Sequence, residues 1–201
     1  MTEPGLASEP AEALGVLFAS KARAVVLHLF MRDPSRAYYQ RQIEQETGLP
    51  LRAVQRELER LTRLELLYRH TEGNRHYYQV DFLCPLFPAL RALVTVGFTP
   101  LERLRSELGA HPSVRQAFLN AASGRVLAVT NGEETPRLSL PEGYALQGMG
   151  AEAFAAAVAR RAETIAPFLV EGVDLLGRRD DVLWRRIGRA GYEVQKAEGV
   201  S

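Results

Sequence analysis

Apolar positions recur every three or four residues along most of the first half of the chain, a spacing that predicts amphipathic helices. The first of these helices has Ser20 as its N-cap and Asp33-Pro34 as its stop. Residues Ala37–Tyr39 predict a short strand, and Ile43 supplies the inward residue of a short second helix. Gly48 ends that helix at a position suited to a left-handed backbone, so a tight turn to another helix is expected.

The helix after this turn has Pro50 in its first turn and is followed by a β-hairpin. Its predicted buried positions are Leu51, Val54, Leu58 and Leu61. The strands Leu66–Glu72 and Arg75–Val80 are joined through Gly73-Asn74, a pair typical of hairpin turns. Helix, turn, helix and hairpin in this order form the layout of a winged helix-turn-helix, a module that usually reads duplex DNA.

A connecting region follows the hairpin. Asp81–Phe98 is apolar and mostly helical in pattern, which indicates a connecting or dimerising helix. Its expected core positions are Leu83, Leu86, Leu90, Leu93 and Val94. Thr99 and Glu102 form a capping box, which predicts a further helix to about Leu108.

The second half mixes strand and helix patterns, so we expect an α+β chain whose C-terminal part is a small α/β domain. The predicted strands are Arg125–Thr130, Arg137–Leu140, Tyr144–Gln147 and Val173–Leu176. The predicted helices are Val114–Asn120, Glu152–Glu163, Ile165–Glu171 and Asp181–Ile187.

Composition places few limits on function. The 201 residues include 25 basic and 24 acidic side chains, so any nucleic-acid site depends on local charge. The single cysteine, Cys84, excludes an internal disulfide and is expected to be a buried structural thiol. Neither a metal nor a cofactor is expected. Without a signal peptide or membrane span, we expect a cytoplasmic, nucleoid-associated protein with no membrane contact.

Three side chains on the helix after the turn are candidates for reading bases. Arg52, Gln55 and Arg56 share a face, together with Glu59, opposite the apolar positions. Arginine pairs bidentately with guanine and glutamine with adenine, so these residue types suit a major groove. The alternative interpretation is an ordinary solvated helix face.

Residues of the hairpin and of the start of the preceding helix are candidates for the DNA backbone. They are Tyr39, Gln40, Arg41, Arg69, Asn74, Arg75 and His76, with His70 close by. Residues 36–76 contain eight arginines and six acidic residues, a modest basic excess. We therefore expect moderate affinity per subunit, increased when a homodimer binds two half-sites.

Several linked motifs resemble ArsR-type winged-helix transcription regulators, in particular the subgroup with a C-terminal nucleotidyltransferase-like domain. The motifs are Leu17–Arg23, Tyr38–Ile43, Leu49–Leu58, Asn74–Tyr78 and the linker-like Pro85–Leu90. The resemblance covers about residues 14–98. It implies a winged helix that binds double-stranded DNA and, after the linker, a nucleotidyltransferase fold.

The catalytic motif of such transferases is missing. Active members need a Gly-Ser turn and an Asp-x-Asp pair that gathers magnesium. Arg125 and Leu127 stand where the aspartates align, and no aspartate occurs between Asp81 and Asp174. We therefore expect a degenerate domain without catalytic residues, used for dimerisation, partner contact or sensing of an unknown effector.

The predicted organisation is a flexible arm at 1–13, a winged helix-turn-helix at 14–81, linker or dimerisation helices at 82–110 and the degenerate domain at 111–201. The alternatives are a nucleotidyltransferase targeted by its winged helix, a protein-docking winged helix, and a protein of DNA organisation or repair. Asp180-Asp181 is expected to cap the last helix. The C-terminal arginines are either a solvated helix or a second nucleic-acid contact. They are Arg178, Arg179, Arg185, Arg186 and Arg189.

Overall fold

The computed structural model describes residues 10–132, 135–179, 181–197 and 200 of a mixed α+β protein. The chain forms two compact units that divide after Ser106. Most of the predicted flexible arm, residues 1–9, lies outside the described residues.

The first unit contains mostly helices. In chain order its elements are α1 (Pro10–Leu17), α2 (Lys21–Arg32), β1 (Tyr38–Tyr39), α3 (Gln40–Thr47), α4 (Leu51–Arg63), β2 (Leu67–Glu72), β3 (Arg75–Val80), α5 (Phe87–Thr95) and α6 (Pro100–Ala110), the last of which continues into the second unit.

One antiparallel sheet, in the order β1-β3-β2, packs beside these helices. Tyr38 pairs with Tyr78 across β1 and β3, and Glu72 pairs with Arg75 at the tip of the β2–β3 hairpin. The core between sheet and helices includes Phe30, Tyr38, Ile43, Val54, Leu58, Leu61 and Tyr78. Burial of this apolar surface is the main force that holds the short elements together.

The structure confirms the predicted helix, strand, turn, helix and hairpin of this unit. Four details differ. The chain is already helical from Pro10, inside the predicted arm. Pro50 is the N-cap of α4 rather than a residue of its first turn, and Leu51 is 41% exposed.

The fourth difference concerns the apolar stretch around α5. Leu83, Leu86 and Leu93 were expected in the core, but they are exposed. Cys84 and Phe87 are buried instead, together with Val94. The burial of Cys84 confirms the expected buried thiol.

The second unit is built on a five-stranded mixed sheet. Its elements are β4 (Val114–Asn120), β5 (Arg125–Thr130), β6 (Ala145–Gly150), α7 (Ala151–Ala159), α8 (Ala166–Leu169), β7 (Val173–Asp174), α9 (Val182–Arg189) and β8 (Gln195–Lys196). The strand order is β6-β5-β4-β7-β8. β4 is antiparallel to β5 and β7, whereas β6 is parallel to β5 and β8 is parallel to β7. The core includes Phe118, Leu127, Phe154, Phe168 and Ile187.

Two predictions for this unit are wrong. Val114–Asn120 is a strand, β4, rather than a helix, because it is buried at the centre of the sheet between β5 and β7. Arg137–Leu140 is not a strand. The strand Arg125–Thr130 is present with the predicted bounds, and the other predicted elements are present with shifted ends. Asp181 caps α9 through the Leu183 N–H at 2.8 Å. Asp180 lies outside the described residues.

No helix among the described residues is both long and apolar enough to cross a membrane.

Candidate nucleic-acid interface

A buried carboxylate fixes how α4 sits against α2. Glu57, on the inner face of α4, is 1% exposed and accepts a bond from the Arg23 guanidinium Nε at 3.1 Å. The Ser20 hydroxyl and the Arg60 guanidinium each lie 3.4 Å from the same carboxylate. Arg23 is tied in turn to the Phe18 carbonyl at 2.9 Å. With this network on its inner side, α4 turns its opposite face to solvent.

The turn between α3 and α4 fixes the angle at which the helices meet. Gly48 has φ of 66°, a left-handed conformation that glycine adopts without strain. The Thr47 hydroxyl lies 3.3 Å from the Leu49 N–H and donates to the Ile43 carbonyl. The chain thus leaves α3 and enters α4 within three residues.

The solvent face of α4 is a basic stripe. Arg52, Arg56, Glu59 and Arg63 follow one another at intervals of four, three and four residues, and all four are exposed. Among the described residues, none of these three arginines has an ion-pair partner. Arg52 and Arg56 were predicted as site residues, whereas Arg63 was missed. Arg63 lies seven residues after Arg56, a spacing that puts both on one face of a helix, and this spacing could have identified it from the sequence.

Gln55 lies beside this stripe and connects α4 to α3. Its side-chain nitrogen Nε2 is 3.4 Å from the Gln40 side-chain oxygen Oε1, and the Gln40 Nε2 is 3.3 Å from the Tyr78 hydroxyl. The three side chains therefore join α4, α3 and β3. Gln40, predicted to contact the DNA backbone, is half-buried and already hydrogen-bonded to both Gln55 and Tyr78.

The outer face of the sheet carries an aromatic cluster. Directly opposite residues of an antiparallel pair project from the same face, so the register puts Tyr39, Tyr77, His70 and Arg75 on one side. The Arg75 guanidinium lies over the Tyr39 ring, 5.0 Å from its centroid, and His70 stacks on Tyr77 at 5.6 Å. Tyr39 and Arg75, both predicted for the DNA backbone, are thus in contact.

The other predicted hairpin residues do not share that face. Arg69 lies opposite Tyr78 and His76 lies opposite Thr71, on the side of the sheet that carries the core residue Tyr38. The His76 Nδ1 is 3.0 Å from the Thr71 hydroxyl. Asn74, in the turn, and Arg41, in the first turn of α3, are exposed.

His28 is a titratable group of this unit whose pKa is shifted. His28 Nε2 lies 3.0 Å from a Glu102 carboxylate oxygen, and the ring stacks on Phe98 at 4.7 Å. Burial lowers the pKa of His28 below 6.5, and the opposing pull of Glu102 is the smaller effect. This histidine joins α2 to α6 rather than contributing charge to the basic stripe.

In the second unit, Arg125 and Leu127 stand at the positions where the sequence aligns with an Asp-x-Asp pair, and both side chains have structural contacts. The Arg125 guanidinium lies 2.8 Å from the Gln147 side-chain oxygen, and Leu127 is fully buried. Asp174 is also fully buried, and one of its oxygens accepts from the Leu176 and Gly177 N–H groups. In the described part of the chain, no three His, Cys, Asp or Glu residues form a group able to hold a metal ion.

The C-terminal arginines fall into two groups. Arg178 donates to the Val114 carbonyl at 2.6 Å, and Arg179 lies 3.5 Å from the Asp174 carboxylate and over the Trp184 ring. These two arginines therefore stabilise the second unit. The other three, Arg185, Arg186 and Arg189, are exposed on α9.

No known protein family, curated protein or solved structure matches this chain.

Proposed function

We propose that this protein is a sequence-specific double-stranded-DNA-binding transcription regulator whose first unit is a winged helix-turn-helix. The observation that carries the proposal is the exposed basic stripe of α4, whose three arginines have no ion-pair partner among the described residues, next to a hairpin that presents Arg75. The buried Glu57–Arg23 pair lies on the inner side of α4, whereas Arg52, Arg56 and Arg63 are exposed on its opposite side.

The dimensions of α4 suit the major groove. Its 13 residues span about 20 Å, and the groove of B-DNA, about 12 Å wide, admits an α-helix. In this proposal Arg52, Gln55 and Arg56 contact base edges. The backbone contacts come from Tyr39, Gln40, Arg41, Arg69, Asn74, Arg75 and His76.

We further propose that the protein acts as a homodimer through the region of α5. The exposed apolar side chains of this segment are Phe82, Leu83, Leu86, Leu93 and Val96. Large apolar patches on a protein surface commonly mark interaction sites. A dimer would place two α4 helices on half-sites about one DNA turn, roughly 34 Å, apart.

For the second unit we propose a nucleotidyltransferase-like domain without catalytic activity, used for dimerisation, partner contact or effector sensing. The absence of catalysis is supported by Leu127, buried in the core, and Arg125, bonded to Gln147, because neither gives a metal a carboxylate ligand. Magnesium-dependent nucleotide transfer by the purified protein would overturn this part of the proposal.

Selection of duplexes from a random pool, followed by binding measurements on variants, tests the function. If both side chains contact bases, Arg52→Ala or Arg56→Ala should weaken binding to the selected duplex by about 1–3 kcal/mol and weaken binding to random DNA less. Arg160→Ala, at an exposed arginine of the second unit, is the matched control and should change neither affinity. Equal losses on selected and random DNA would assign Arg52 and Arg56 to phosphates instead. Failure to enrich any duplex would contradict sequence-specific binding.

A further inference from the structure

A groove runs between α4 and the hairpin. It has a volume of about 420 Å³ and is lined by Glu59, Thr62 and Arg63 from α4 and by Arg69 and Tyr78 from the two strands. Arg69 and Tyr78 are directly opposite each other in the β2–β3 register, so both project from the face of the sheet that borders the groove. The groove therefore separates the two parts of the proposed DNA interface.

The lining of the groove is rich in free hydrogen-bond donors. Within the described residues, the Arg63 and Arg69 guanidiniums take part in neither an ion pair nor a hydrogen bond, and the Thr62 hydroxyl has no partner. The Tyr78 hydroxyl accepts from Gln40 at 3.3 Å and keeps its own proton to donate. Glu59 is the one acidic group of the lining.

The charges of the groove match one phosphodiester. Two guanidiniums and one carboxylate leave a single net positive charge, which one phosphate monoanion neutralises. Guanidinium groups suit this ligand because their forked N–H donors pair with phosphate oxygens. A second phosphate would meet the Glu59 carboxylate without a further cation to offset it.

The geometry of duplex DNA indicates which part of the DNA lies in the groove between α4 and the hairpin. Neighbouring major and minor grooves are separated by one sugar–phosphate strand, so a helix in the first and a hairpin in the second must straddle that strand. We propose that the groove between α4 and the hairpin holds one backbone phosphate of this strand, bound by Arg63 and Arg69. The proposal rests on the DNA-binding function proposed above and assigns a role to Arg63, which sequence patterns had not singled out.

Single neutral phosphates in the duplex test the assignment. The probe is the duplex that the protein enriches from a random pool, with one methylphosphonate placed at each backbone position in turn. Wild-type protein should lose affinity by about tenfold or more at its phosphate contacts, as expected for a charge-assisted hydrogen bond. Arg63→Gln and Arg69→Gln should each show a clearly smaller loss than wild type at one and the same position, because each variant keeps only one of the two guanidiniums there, and both should keep the losses at the other positions.

Two further variants complete the design. Arg160→Gln removes the same charge from an exposed site of the second unit and should reproduce the wild-type pattern at every position. Glu59→Gln should bind the unmodified duplex more tightly, with the gain abolished by a methylphosphonate at that same position. Since Arg63, Arg69 and Glu59 are all exposed, these substitutions are expected to leave the fold intact.

The outcomes separate this inference from the proposed function. If wild-type protein binds the duplex but Arg63→Gln and Arg69→Gln keep every methylphosphonate loss, the groove assignment is wrong and DNA binding stands. If the two variants lose sensitivity at two different positions, the groove does not hold a single phosphate. If the wild-type protein enriches no duplex, both proposals fail.

Discussion

The ion pair beneath α4 predicts a large loss of stability on Glu57→Ala. The Glu57 side chain is 2% exposed, and its carboxylate accepts from the guanidinium of Arg23, whose own side chain is 23% exposed. Removing one partner of a buried pair costs about 3–5 kcal/mol, because the remaining charge is left uncompensated. Arg23 retains its bond to the Phe18 carbonyl and some access to water, so we expect about 3 kcal/mol, the lower end of that range.

Urea unfolding followed by far-ultraviolet circular dichroism measures this loss, and Glu59→Ala is the matched control. Glu59 lies two residues along the same helix but is exposed, so its removal should change the free energy of unfolding by about 0.5 kcal/mol or less. Amide hydrogen exchange should locate the loss of protection in α2 and α4. Similar effects of the two substitutions would refute the role given to the buried carboxylate.

Three further predictions concern the turn, the shifted histidine and the proposed dimer. Gly48→Ala has room for a Cβ but puts alanine in a left-handed backbone conformation, so it should lower the free energy of unfolding in urea by about 1–2 kcal/mol. Gly132→Ala, with equal room and no left-handed backbone, should lower it less, and equal losses would contradict the role given to the Gly48 conformation. Because burial holds the folded-state pKa of His28 below 6.5, its contribution to stability is present above pH 6.5 and is lost as the pH falls through the folded-state value. Unfolding at about pH 5.5 and about pH 7.5 should therefore show a smaller pH dependence for His28→Gln than for wild type, and an unchanged dependence would contradict the assignment. Leu83→Asp, at a side chain that is 90% exposed, should weaken dimerisation by about 1.5–3 kcal/mol in sedimentation equilibrium, whereas unchanged self-association would exclude this face.

Much of the first unit was predictable because its signals are local. The Thr99–Glu102 capping box forms as expected, with the Thr99 N–H 2.9 Å from the Glu102 carboxylate and the Glu102 N–H 3.2 Å from the Thr99 hydroxyl. Ser20 caps α2, and Gly48 ends α3. Each of these interactions joins residues within a few positions, so the residue types alone carry the information.

The errors lie where distant contacts decide. Val114–Asn120 contains good helix formers, but pairing on both sides with β5 and β7 makes it a strand. It is buried on both faces, so it lacks the alternating pattern that identifies a half-buried strand. Around α5, the apolar spacing did not show that Leu83 would face solvent while Phe87 packs into the core.

The candidate site was predictable only where local spacing decides the position of a side chain. Helical spacing placed Arg52 and Arg56 on the exposed face of α4. The separation of Arg69 from Arg75 depends on the strand register, which the hairpin sequence alone did not supply. The burial of Glu57 was also not foreseen, because a charged residue is seldom buried unless a distant partner such as Arg23 compensates it.

The most direct test of the central claim is the salt dependence of binding to duplex DNA. Fluorescence anisotropy titrations of the full chain should give a straight line of log affinity against log salt concentration. If Arg41 and Arg75 each neutralise one phosphate and Arg63 and Arg69 share a third, the slope should be about −2.7 per subunit, and Arg75→Ala should make it shallower by about 0.9. Absence of binding, or a slope near zero, would contradict the proposal that the first unit binds DNA.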